Sequence, residues 1–359
     1  MQLIIGQILQ QEQDVDSFML LLIIVLLLLM LALAFTLKRR IGPVGTARGG
    51  SLKLALDSLL SAFRRRHPPP PGWPEEISQM APYIQPLQEL NAGGFAHIYL
   101  AKYERSRHVV VKVLEETWAL AENPRHQAFR WRFESEAAIM HQLMVTGVVP
   151  RVFQYSEPGF IRPWFVMEYL NNYRQLDHFK GGGYRLHATV ALRCAQAVGA
   201  VHAQDCLHRD LSPDNILVSD DRRRDVKLID FGLARWRGRD DNVRLLHLTT
   251  TGEMAGKPAY TAPEVWVSDQ GLLTAGMDSD GYGLAACLWE LFTGKPPFQG
   301  ELHEIEAQQR MMPSVEPLLL ARVPPPVAQT MAAMLAPERE LRPSVRDLQH
   351  EIMRTLQGW

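Results

Sequence analysis

Three stretches decide how this chain folds: LHRDLSPDNIL at Leu207–Leu217, KLIDFG at Lys227–Gly232 and GKPAYTAPE at Gly256–Glu264. Upstream of them, the run His108–Leu114 (HVVVKVL) is rich in β-branched residues and carries one lysine, Lys112. Such a run favours a strand. A lysine inside it is a weak signal alone, because many edge strands carry one. Its meaning depends on the three motifs that follow it along the chain.

The composition excludes several classes of protein. Hydrophobic residues make up 47% of the 359 residues and charged residues 21%, so most of the chain can bury a core. The net charge of -1 argues against a globally basic protein, although it leaves a local basic patch open, and we expect no nucleic-acid partner. The cysteines Cys194, Cys206 and Cys287 form no C-x-x-C pair, so neither a disulfide framework nor a cysteine zinc site is indicated.

The stretch Phe18–Leu37 predicts a transmembrane helix. It reads FMLLLIIVLLLLMLALAFTL, and no charged residue occurs between Asp16 and Lys38. About 20 helical residues span about 30 Å, the thickness of the hydrocarbon core of a bilayer. A cleaved signal peptide would have a shorter apolar run preceded by positive charge, whereas the charged residues before this run are acidic.

The residues on either side of this span predict its orientation. Lys38, Arg39 and Arg40 follow the span, and no Lys or Arg precedes it. The positive-inside rule therefore puts residues 1–17 outside the cell and everything after Lys38 in the cytoplasm. We expect a single-pass protein of the inner (plasma) membrane, in contact with the lipid bilayer.

Residues 38–82 read as the connection between the membrane and a folded domain. Ser51–Arg66 (SLKLALDSLLSAFRRR) predicts a helix with its leucines on one face. It either lies on the anionic inner leaflet or packs on the following domain or on a second copy, which would make a homodimer. The prolines of His67–Pro74 predict a stiff, extended spacer. From about Tyr83 onward the hydrophobic pattern is that of a folded domain.

The order and spacing of the quoted motifs resemble the signature set of protein kinases. On these motifs the chain is identified as a member of the eukaryotic-type (Hanks-type) serine/threonine protein kinases, and the wording HRDLSPDN is similar to that of bacterial members. The resemblance implies an α+β fold with two lobes. A β-rich N-lobe would run over residues 83–167 and a mainly helical C-lobe over residues 168–357. ATP would bind between them with Mg²⁺ or Mn²⁺.

The resemblance also implies roles for individual residues. Asp210 matches the catalytic-loop aspartate, which orients the substrate hydroxyl and accepts its proton late in the transfer. Asn215 and Asp230 match the two metal ligands, and both offer the hard oxygen atoms that Mg²⁺ requires. Lys112 matches the strand lysine that binds the α- and β-phosphates of ATP.

The partner of Lys112 should be a glutamate on the next helix, for which the segment FESEAAIMHQL offers Glu134 and Glu136. We favour Glu136, because the apolar residues that follow it then form a buried face beside it. Glu134 would be a solvated charge.

The nucleotide cradle departs from the family. The family pattern is G-x-G-x-x-G, and its three glycine places hold Asn91, Gly93 and Ala96 here. Asn tolerates left-handed backbone better than most residues and Ala is small, so the cradle is weakened and not destroyed. Besides Lys112 and Asp230, the residues implied to contact the nucleotide are Leu90, Asn91, Ala92, Gly93, Gly94, Phe95, Ala96, Ile98, the gatekeeper Met167, and Glu168 and Leu170 at the hinge.

The segment between Lys112 and Glu136 is longer than usual in the family and contains Trp118 and Trp131. We interpret it as a helical elaboration beside the regulatory helix, without a known partner.

Two further positions depart from the family. Ser212 stands where serine/threonine kinases usually carry a lysine, and Lys257 stands where they usually carry a threonine. One hypothesis is that the cation has moved across the cleft, so that Lys257 supplies the catalytic charge that Ser212 lacks. The alternative is that Lys257 is a solvated loop residue.

Regulation and architecture follow from the same resemblance. Arg209 precedes the catalytic aspartate, and in the family such an arginine pairs with a phosphorylated loop residue, for which Thr249 and Thr251 are the candidates. Glu264 should pair with Arg342, and Asp280 should hold the catalytic-loop backbone.

The predicted function is transfer of the γ-phosphoryl group of ATP to Ser or Thr of protein substrates, with autophosphorylation. One alternative is a membrane-tethered pseudokinase scaffold, which the weak glycine loop favours and the intact polar residues oppose. A small-molecule phosphotransferase is the other alternative. Such enzymes generally lack the segment of Glu264 and its arginine, so the pair argues for a protein substrate.

Overall fold

The computed structural model describes residues 69–70, 72–92, 95–104, 107–119, 124–157, 160–237, 257–266 and 274–358. The predicted transmembrane segment 18–37 and the predicted juxtamembrane helix 51–66 lie outside these residues. Within the described ranges, no helix is both long enough and apolar enough to cross a bilayer. The described residues from Pro69 onward belong to one folded unit.

The N-lobe is built on a five-stranded antiparallel sheet in the order β1-β2-β3-β5-β4. Its strands are β1 (Ile84–Ala92), β2 (Ala96–Tyr103), β3 (Arg107–Leu114), β4 (Val152–Tyr155) and β5 (Trp164–Glu168).

Alternation along β3 decides which way Lys112 points. Val109, Val111 and Val113 share one face of the sheet and are fully buried there. Because successive side chains of a strand point to opposite faces, Lys112 and Leu114 point to the other face. That face is covered by a helix, so the lysine is directed at the helix and not at solvent.

Two helices follow β3, namely α2 (Glu116–Ala119) and the long helix α3 (Pro124–Leu143). Proline at the first position of a helix is favourable, since its missing N–H would be unpaired there anyway. Phe133, Ala137 and Met140 lie on one face of α3 and are buried against the sheet. Glu136 lies beside this face and is itself buried.

The opposite face of the sheet is covered by residues that precede it. Helix α1 (Glu75–Met80) and its flanks place Trp73, Ile77 and Ala81 in a second apolar core with the three valines of β3. The folded unit therefore begins before residue 83, where the sequence analysis set its start. The segment before residue 83 has few apolar residues, so its sequence resembles a linker. Only the structure shows that these few residues cover an apolar face of the sheet.

The C-lobe is mainly helical. The long helix α6 (Met277–Thr293) is buried at every residue from Ser279 to Phe292, and this stretch includes the charged residues Asp280 and Glu290. It ends at Gly294, whose φ of 82° is the left-handed conformation that suits glycine. The other helices are α4 (Tyr184–His202), α5 (Pro263–Trp266), α7 (Leu302–Gln308), α8 (Glu316–Leu320), α9 (Pro325–Met334) and α10 (Val345–Gln357).

Short elements complete the C-lobe and carry the motif residues. The strands are β6 (Tyr173–Gln175), β7 (Cys206–Leu207), β8 (Ile216–Ser219), β9 (Val226–Leu228) and β10 (Arg235–Trp236). Single 3₁₀ turns lie at Met144–Thr146, Leu176–Phe179, Pro213–Asn215 and Arg339–Leu341. The predicted division into a β-rich N-lobe and a helical C-lobe is confirmed.

Candidate active site

A buried ion pair joins strand β3 to helix α3. The ammonium of Lys112 lies 2.8 Å from each carboxylate oxygen of Glu136. Burial alone would lower the pKa of Lys112, but the carboxylates of Asp230 and Glu136 raise it above its usual value. The lysine is therefore cationic, although its side chain is only 14% exposed. The structure places Glu136, and not Glu134, at Lys112.

Glu134 has a different environment. Its carboxylate lies 3.2 Å from Nε of Arg130, one turn earlier on α3, and both side chains are about a quarter exposed. Such pairs at i,i+4 contribute only a few tenths of a kcal/mol to helix stability. Glu134 is therefore not the free solvated charge that the sequence analysis expected, yet it takes no part in the site.

Asp230 approaches the same lysine from the C-lobe. Its Oδ1 lies 3.5 Å from Nζ of Lys112, and the positive charge of Lys112 lowers the pKa of Asp230. The residue has a φ of 62°, a left-handed conformation that costs a non-glycine residue free energy. This strained backbone directs the carboxylate into the cleft, where about half of the side chain is exposed.

The catalytic loop is held by Asp280 at the start of α6. The backbone N–H groups of His208 and Arg209 donate hydrogen bonds of 2.8 and 2.7 Å to its two oxygens. Nε2 of His202 lies 2.8 Å from one of them. Burial alone would raise the pKa of Asp280, but these hydrogen bonds hold it below its usual value. The carboxylate therefore stays ionised, its two hydrogen bonds from backbone N–H groups orient the loop, and its contact with His202 joins it to helix α4.

Gly283, one turn further along α6, lets the catalytic loop pack directly on the helix. A Cβ at this position would lie 3.2 Å from Cβ of Leu211 and 3.2 Å from the carbonyl oxygen of Tyr260. Contacts of this length are tighter than most Cβ atoms make, so a side chain here would push the two backbones apart by a few tenths of an ångström, and glycine suits their close approach.

Asp210 and Asn215 are connected directly. The side-chain amide of Asn215 donates to the carbonyl oxygen of Asp210 at 2.8 Å and to its carboxylate at 3.2 Å. Because the amide nitrogen of Asn215 is committed to Asp210, its Oδ1 is the atom available for a cation. Burial raises the pKa of Asp210. The nearby His208 and Lys257 act in the opposite direction and reduce this rise.

The donor set fits a hard divalent cation. Asn215 and Asp230 present amide and carboxylate oxygens, the ligand type that Mg²⁺ and Mn²⁺ accept. Among the described residues there is no cluster of three His, Cys, Asp or Glu that could bind a metal by itself. Asn215 and Asp230 are therefore the two ligands that this part of the described structure offers, and a bound cation would complete its shell with phosphate oxygens and water.

The residues predicted to contact the nucleotide lie on strands β1, β2 and β5 of the N-lobe sheet and just after β5. Met167 and Glu168 end strand β5, opposite Val110 and Val109 of β3, and Leu170 follows directly. Leu90 and Asn91 lie at the end of β1, with Ala96 and Ile98 at the start of β2. Gly93 and Gly94 lie outside the described residues, as does the side chain of Ala92.

Lys257 has a carboxylate partner. Its ammonium is paired with Asp214 of the catalytic loop, and both side chains are about half exposed. Ser212, two residues before Asp214, is buried, and its hydroxyl makes no hydrogen bond to any described residue. The structure thus places Lys257 beside the catalytic loop, on its exposed side.

Arg209 occupies an unusual environment. It is buried with a φ of 68°, and none of its three guanidinium nitrogens has a hydrogen-bond partner among the described residues. Burial and the neighbouring Arg235 lower its pKa to about 10, and Arg132 adds to this effect. Thr249 and Thr251 lie outside the described residues.

The sequence analysis missed Arg132 of helix α3, whose positive charge contributes to the lowered pKa of Arg209. Its position one turn before Glu136 was the available signal, because residues at i and i+4 share a helix face.

The predicted pair of Glu264 and Arg342 is present in the C-lobe. Two guanidinium nitrogens of Arg342 donate to the two carboxylate oxygens at 2.8 and 2.9 Å. Ser279 of α6 donates to the same carboxylate at 2.7 Å. Arg339, which the sequence analysis did not identify, pairs with Asp278 at 2.6 Å and extends the network. These contacts hold the segment after the catalytic loop against α6.

Comparison with known proteins gives a consistent result. Residues 84–353 match the family described as the protein kinase domain. The chain is similar to the DNA damage-responsive serine/threonine-protein kinase RqkA of Deinococcus radiodurans, with 33% identity over 267 residues, which cover 72% of this chain and 37% of that protein.

Two further relatives agree. Serine/threonine-protein kinase PknD of Mycobacterium tuberculosis is 32% identical over 272 residues, which cover 73% of this chain and 38% of that protein. Serine/threonine-protein kinase PknB of Mycolicibacterium smegmatis is 33% identical over 218 residues, which cover 59% of this chain and 32% of that protein. The chain thus spans less than half the length of these relatives.

The two glutamates of α3 provide a matched test of the site. We expect Glu136→Gln to reduce phosphoryl transfer by about a hundredfold or more, because a neutral amide leaves the buried Lys112 poorly placed for the phosphates. Glu134→Gln should stay within about twofold of the unchanged protein. Transfer of label from ATP to a protein substrate measures both variants. A larger loss in Glu134→Gln than in Glu136→Gln would contradict this assignment.

Proposed function

The chain belongs to the protein kinase family, and on that premise we propose that it transfers the γ-phosphoryl group of ATP to serine and threonine hydroxyls of proteins. The observation that carries the proposal is the assembled polar centre. Lys112 is paired with Glu136 and lies 3.5 Å from Asp230, while Asp210 is held by Asn215. These side chains of the two lobes therefore form one connected polar centre at the cleft.

Each of these side chains has a distinct task. Lys112, held by Glu136, is the cation for the α- and β-phosphates. Asp230 and the free Oδ1 of Asn215 are the ligands for Mg²⁺, which when bound neutralises phosphate charge. Asp210 accepts a hydrogen bond from the substrate hydroxyl and receives its proton late in the transfer. In such reactions catalysis consists largely of positioning and charge stabilisation, so preorganised side chains are what the protein must supply.

One contact in the C-lobe favours a protein substrate over a small-molecule substrate. The bidentate contact between Arg342 and Glu264 holds the segment that follows Lys257 next to the catalytic loop. A folded surface beside Asp210 gives an extended acceptor chain a platform that a small acceptor would not need. This arrangement supports the protein-kinase proposal over a small-molecule phosphotransferase.

The direct test uses the full chain with labelled ATP, Mg²⁺ and a generic protein acceptor. We expect label on serine and threonine, and we expect Asp210→Ala to reduce it by about a thousandfold, because Asp210 is the group proposed to orient the acceptor hydroxyl and to receive its proton. Glu157→Ala removes an exposed carboxylate in the turn between β4 and β5 and should have no effect. Nucleotide binding without any transfer by the unchanged protein would support the pseudokinase scaffold instead.

The proposal includes regulation by phosphorylation. Arg209 is a buried guanidinium without a hydrogen-bond partner among the described residues, and Arg132 and Arg235 lie near enough to affect its pKa. A phosphothreonine adds about −1.5 to −2 charges and three acceptor oxygens, which would satisfy such a site. Mass spectrometry of the same reaction should find phosphate on Thr249 or Thr251, and full activity of a variant with alanine at 249–251 would exclude this mechanism.

We also propose that residues 18–37 anchor the protein in the plasma membrane with the catalytic domain in the cytoplasm. The support is the uncharged apolar run and the positive residues that follow it. The full chain should sediment with membranes and resist extraction at alkaline pH. A chain that begins at Pro69 should be soluble and still bind ATP. Recovery of the full chain in the soluble fraction would disprove the anchor.

Finally, we propose that Lys257 supplies the charge that Ser212 lacks. Lys257 is paired with Asp214, and its positive charge opposes the rise that burial causes in the pKa of Asp210. A lysine acts as a flexible point charge, so it can exchange Asp214 for the transferring phosphoryl group. The pairing with Asp214 also fits a solvated loop lysine, so mutation must decide between the two.

Loss of one charge at a transferring phosphoryl group costs about a hundredfold in rate. We therefore expect Lys257→Thr to lower kcat by about that factor, and Ser212→Lys combined with Lys257→Thr to recover much of it. Lys295→Thr, at an exposed lysine after α6, is the matched control and should leave kcat unchanged. Near-normal turnover of Lys257→Thr at saturating ATP would show that no relocated cation is needed.

A further inference from the structure

The segment that precedes the N-lobe sheet has no task in the chemistry described above. Residues 72–81 lie before the part of the chain that matches the protein kinase domain, which begins at residue 84. Trp73, Ile77 and Ala81 are nevertheless buried in the apolar core on the face of the sheet that points away from α3. We call residues 72–81 the α1 segment.

Two side chains attach the α1 segment to the sheet. The ring of Trp73 meets that of Tyr99 on β2 edge to face, with centroids 5.1 Å apart and an interplanar angle of 85°. Trp73 is only 8% exposed, and Ile77 is fully buried. Tyr99 is the cross-strand partner of Val111 on β3, the residue before Lys112. The contact of Trp73 therefore lies one strand away from the lysine.

A tight turn brings the α1 segment onto Tyr99. The backbone N–H of Trp73 donates to the carbonyl oxygen of Pro70 at 3.2 Å, and its indole N–H donates to the hydroxyl of Ser78 at 2.9 Å. Gly72 has a φ of 76°, and a Cβ there would lie 3.0 Å from the hydroxyl oxygen of Tyr99. The position of Trp73 is thus determined by hydrogen bonds and by backbone conformation as well as by apolar packing.

Strand β3 lies between the α1 segment and helix α3. Val111 and Val113 pack in the same apolar core as Trp73. Lys112, between the two valines, points to the other face of the sheet and pairs with Glu136 of α3. A displacement of β3 toward the valine face would separate the lysine from the glutamate. The α1 segment opposes this displacement, because closely packed side chains barely compress.

The α1 segment depends on the sheet for its own structure. Helix α1 has only six residues, and its N-cap residue, Pro74, makes no side-chain hydrogen bond to the helix. Isolated helices of this length are not stable in water. Burial of Trp73 and Ile77 on the sheet is therefore what keeps the segment ordered, and the order of the segment and the position of β3 are linked.

We propose that the α1 segment positions Lys112 for ATP by holding strand β3 from the face opposite the lysine. The inference rests on the proposed function, because it assumes that Lys112 binds the phosphates of ATP. Trp73 and Ile77 are positioning residues and do not contact the reacting atoms. The nucleotide site thus depends on a segment outside the part of the chain that matches the kinase family.

The first test measures KM for ATP and kcat of full-chain variants with a protein acceptor. Trp73→Ala and Ile77→Ala should each raise KM for ATP by about fivefold or more, with a smaller change in kcat, because β3 then holds Lys112 less accurately. Trp73→Phe keeps an apolar ring and should stay within about twofold of the unchanged protein. Met80→Ala, at a 63% exposed residue of α1, should leave KM unchanged.

Leu318→Ala is the control for a loss of stability alone. Leu318 is fully buried in α8 of the C-lobe, so this variant also removes a core side chain and should lower Tm comparably with Ile77→Ala. Because the site is distant from Lys112, KM for ATP should stay within about twofold. A rise in KM equal to that of Ile77→Ala would overturn the proposal, as would unchanged KM in Trp73→Ala and Ile77→Ala.

Gly72→Ala decides the question if the two core variants do not fold. It leaves the apolar side chains in place and moves the turn away from Tyr99, so we expect a rise in KM for ATP of about threefold. If the core variants do not fold, unchanged KM in Gly72→Ala overturns the proposal.

The second test observes Lys112 without nucleotide or turnover. Acetic anhydride reacts with neutral amines, and the buried ion pair with Glu136 protects Lys112. Peptide mass spectrometry should show Lys112 acetylated at least about threefold faster in Trp73→Ala and in Gly72→Ala, because the pair opens more often. The exposed Lys295 is the internal reference. Unchanged acetylation of Lys112 in both variants would overturn the inference whether or not the protein transfers phosphate, so this measurement separates its failure from failure of the proposed function.

Discussion

The buried carboxylate of Asp280 is the interaction on which the catalytic centre depends. It accepts hydrogen bonds from two consecutive backbone amides of the catalytic loop and lies within hydrogen-bond distance of His202. One of those amides belongs to Arg209, whose φ of 68° would be unfavourable without such support. Removal of one partner of a buried charged group costs about 3–5 kcal/mol, so the loop conformation is strongly determined. The position of Asp210 follows from it.

A second constraint acts across the cleft. Lys112 belongs to the N-lobe sheet, Glu136 to helix α3, and Asp230 to the C-lobe, so one ammonium brings three separate elements together. Each element is held in place by apolar packing outside the polar centre. The valines of β3 pack under α1, Phe133 packs on Phe165, and α6 is buried along most of its length. The polar centre is therefore small, and the cores behind it give it rigidity.

Many residues of the centre could be predicted from sequence because their chemistry resides in short motifs. Asp210, Asn215 and Asp230 lie in short connections next to the strands β7, β8 and β9, so each is placed by the strand beside it. The alternating valines around Lys112 predicted a strand, and a strand with one apolar face buried leaves little freedom for the lysine. The apolar face of α3 was enough to favour Glu136 over Glu134.

The sequence by itself determined the apolar run at 18–37 and the order and spacing of the motifs. The resemblance that those motifs carry then implied the two-lobed fold and the residues of the polar centre. Only the tertiary structure decided that Trp73 and Ile77 belong to the folded unit, that Lys257 meets Asp214, and that Phe95 rests on Phe129. These contacts join residues whose partners lie far along the chain or on another element. No periodicity within one segment reports what covers it, because burial of a face depends on the whole fold.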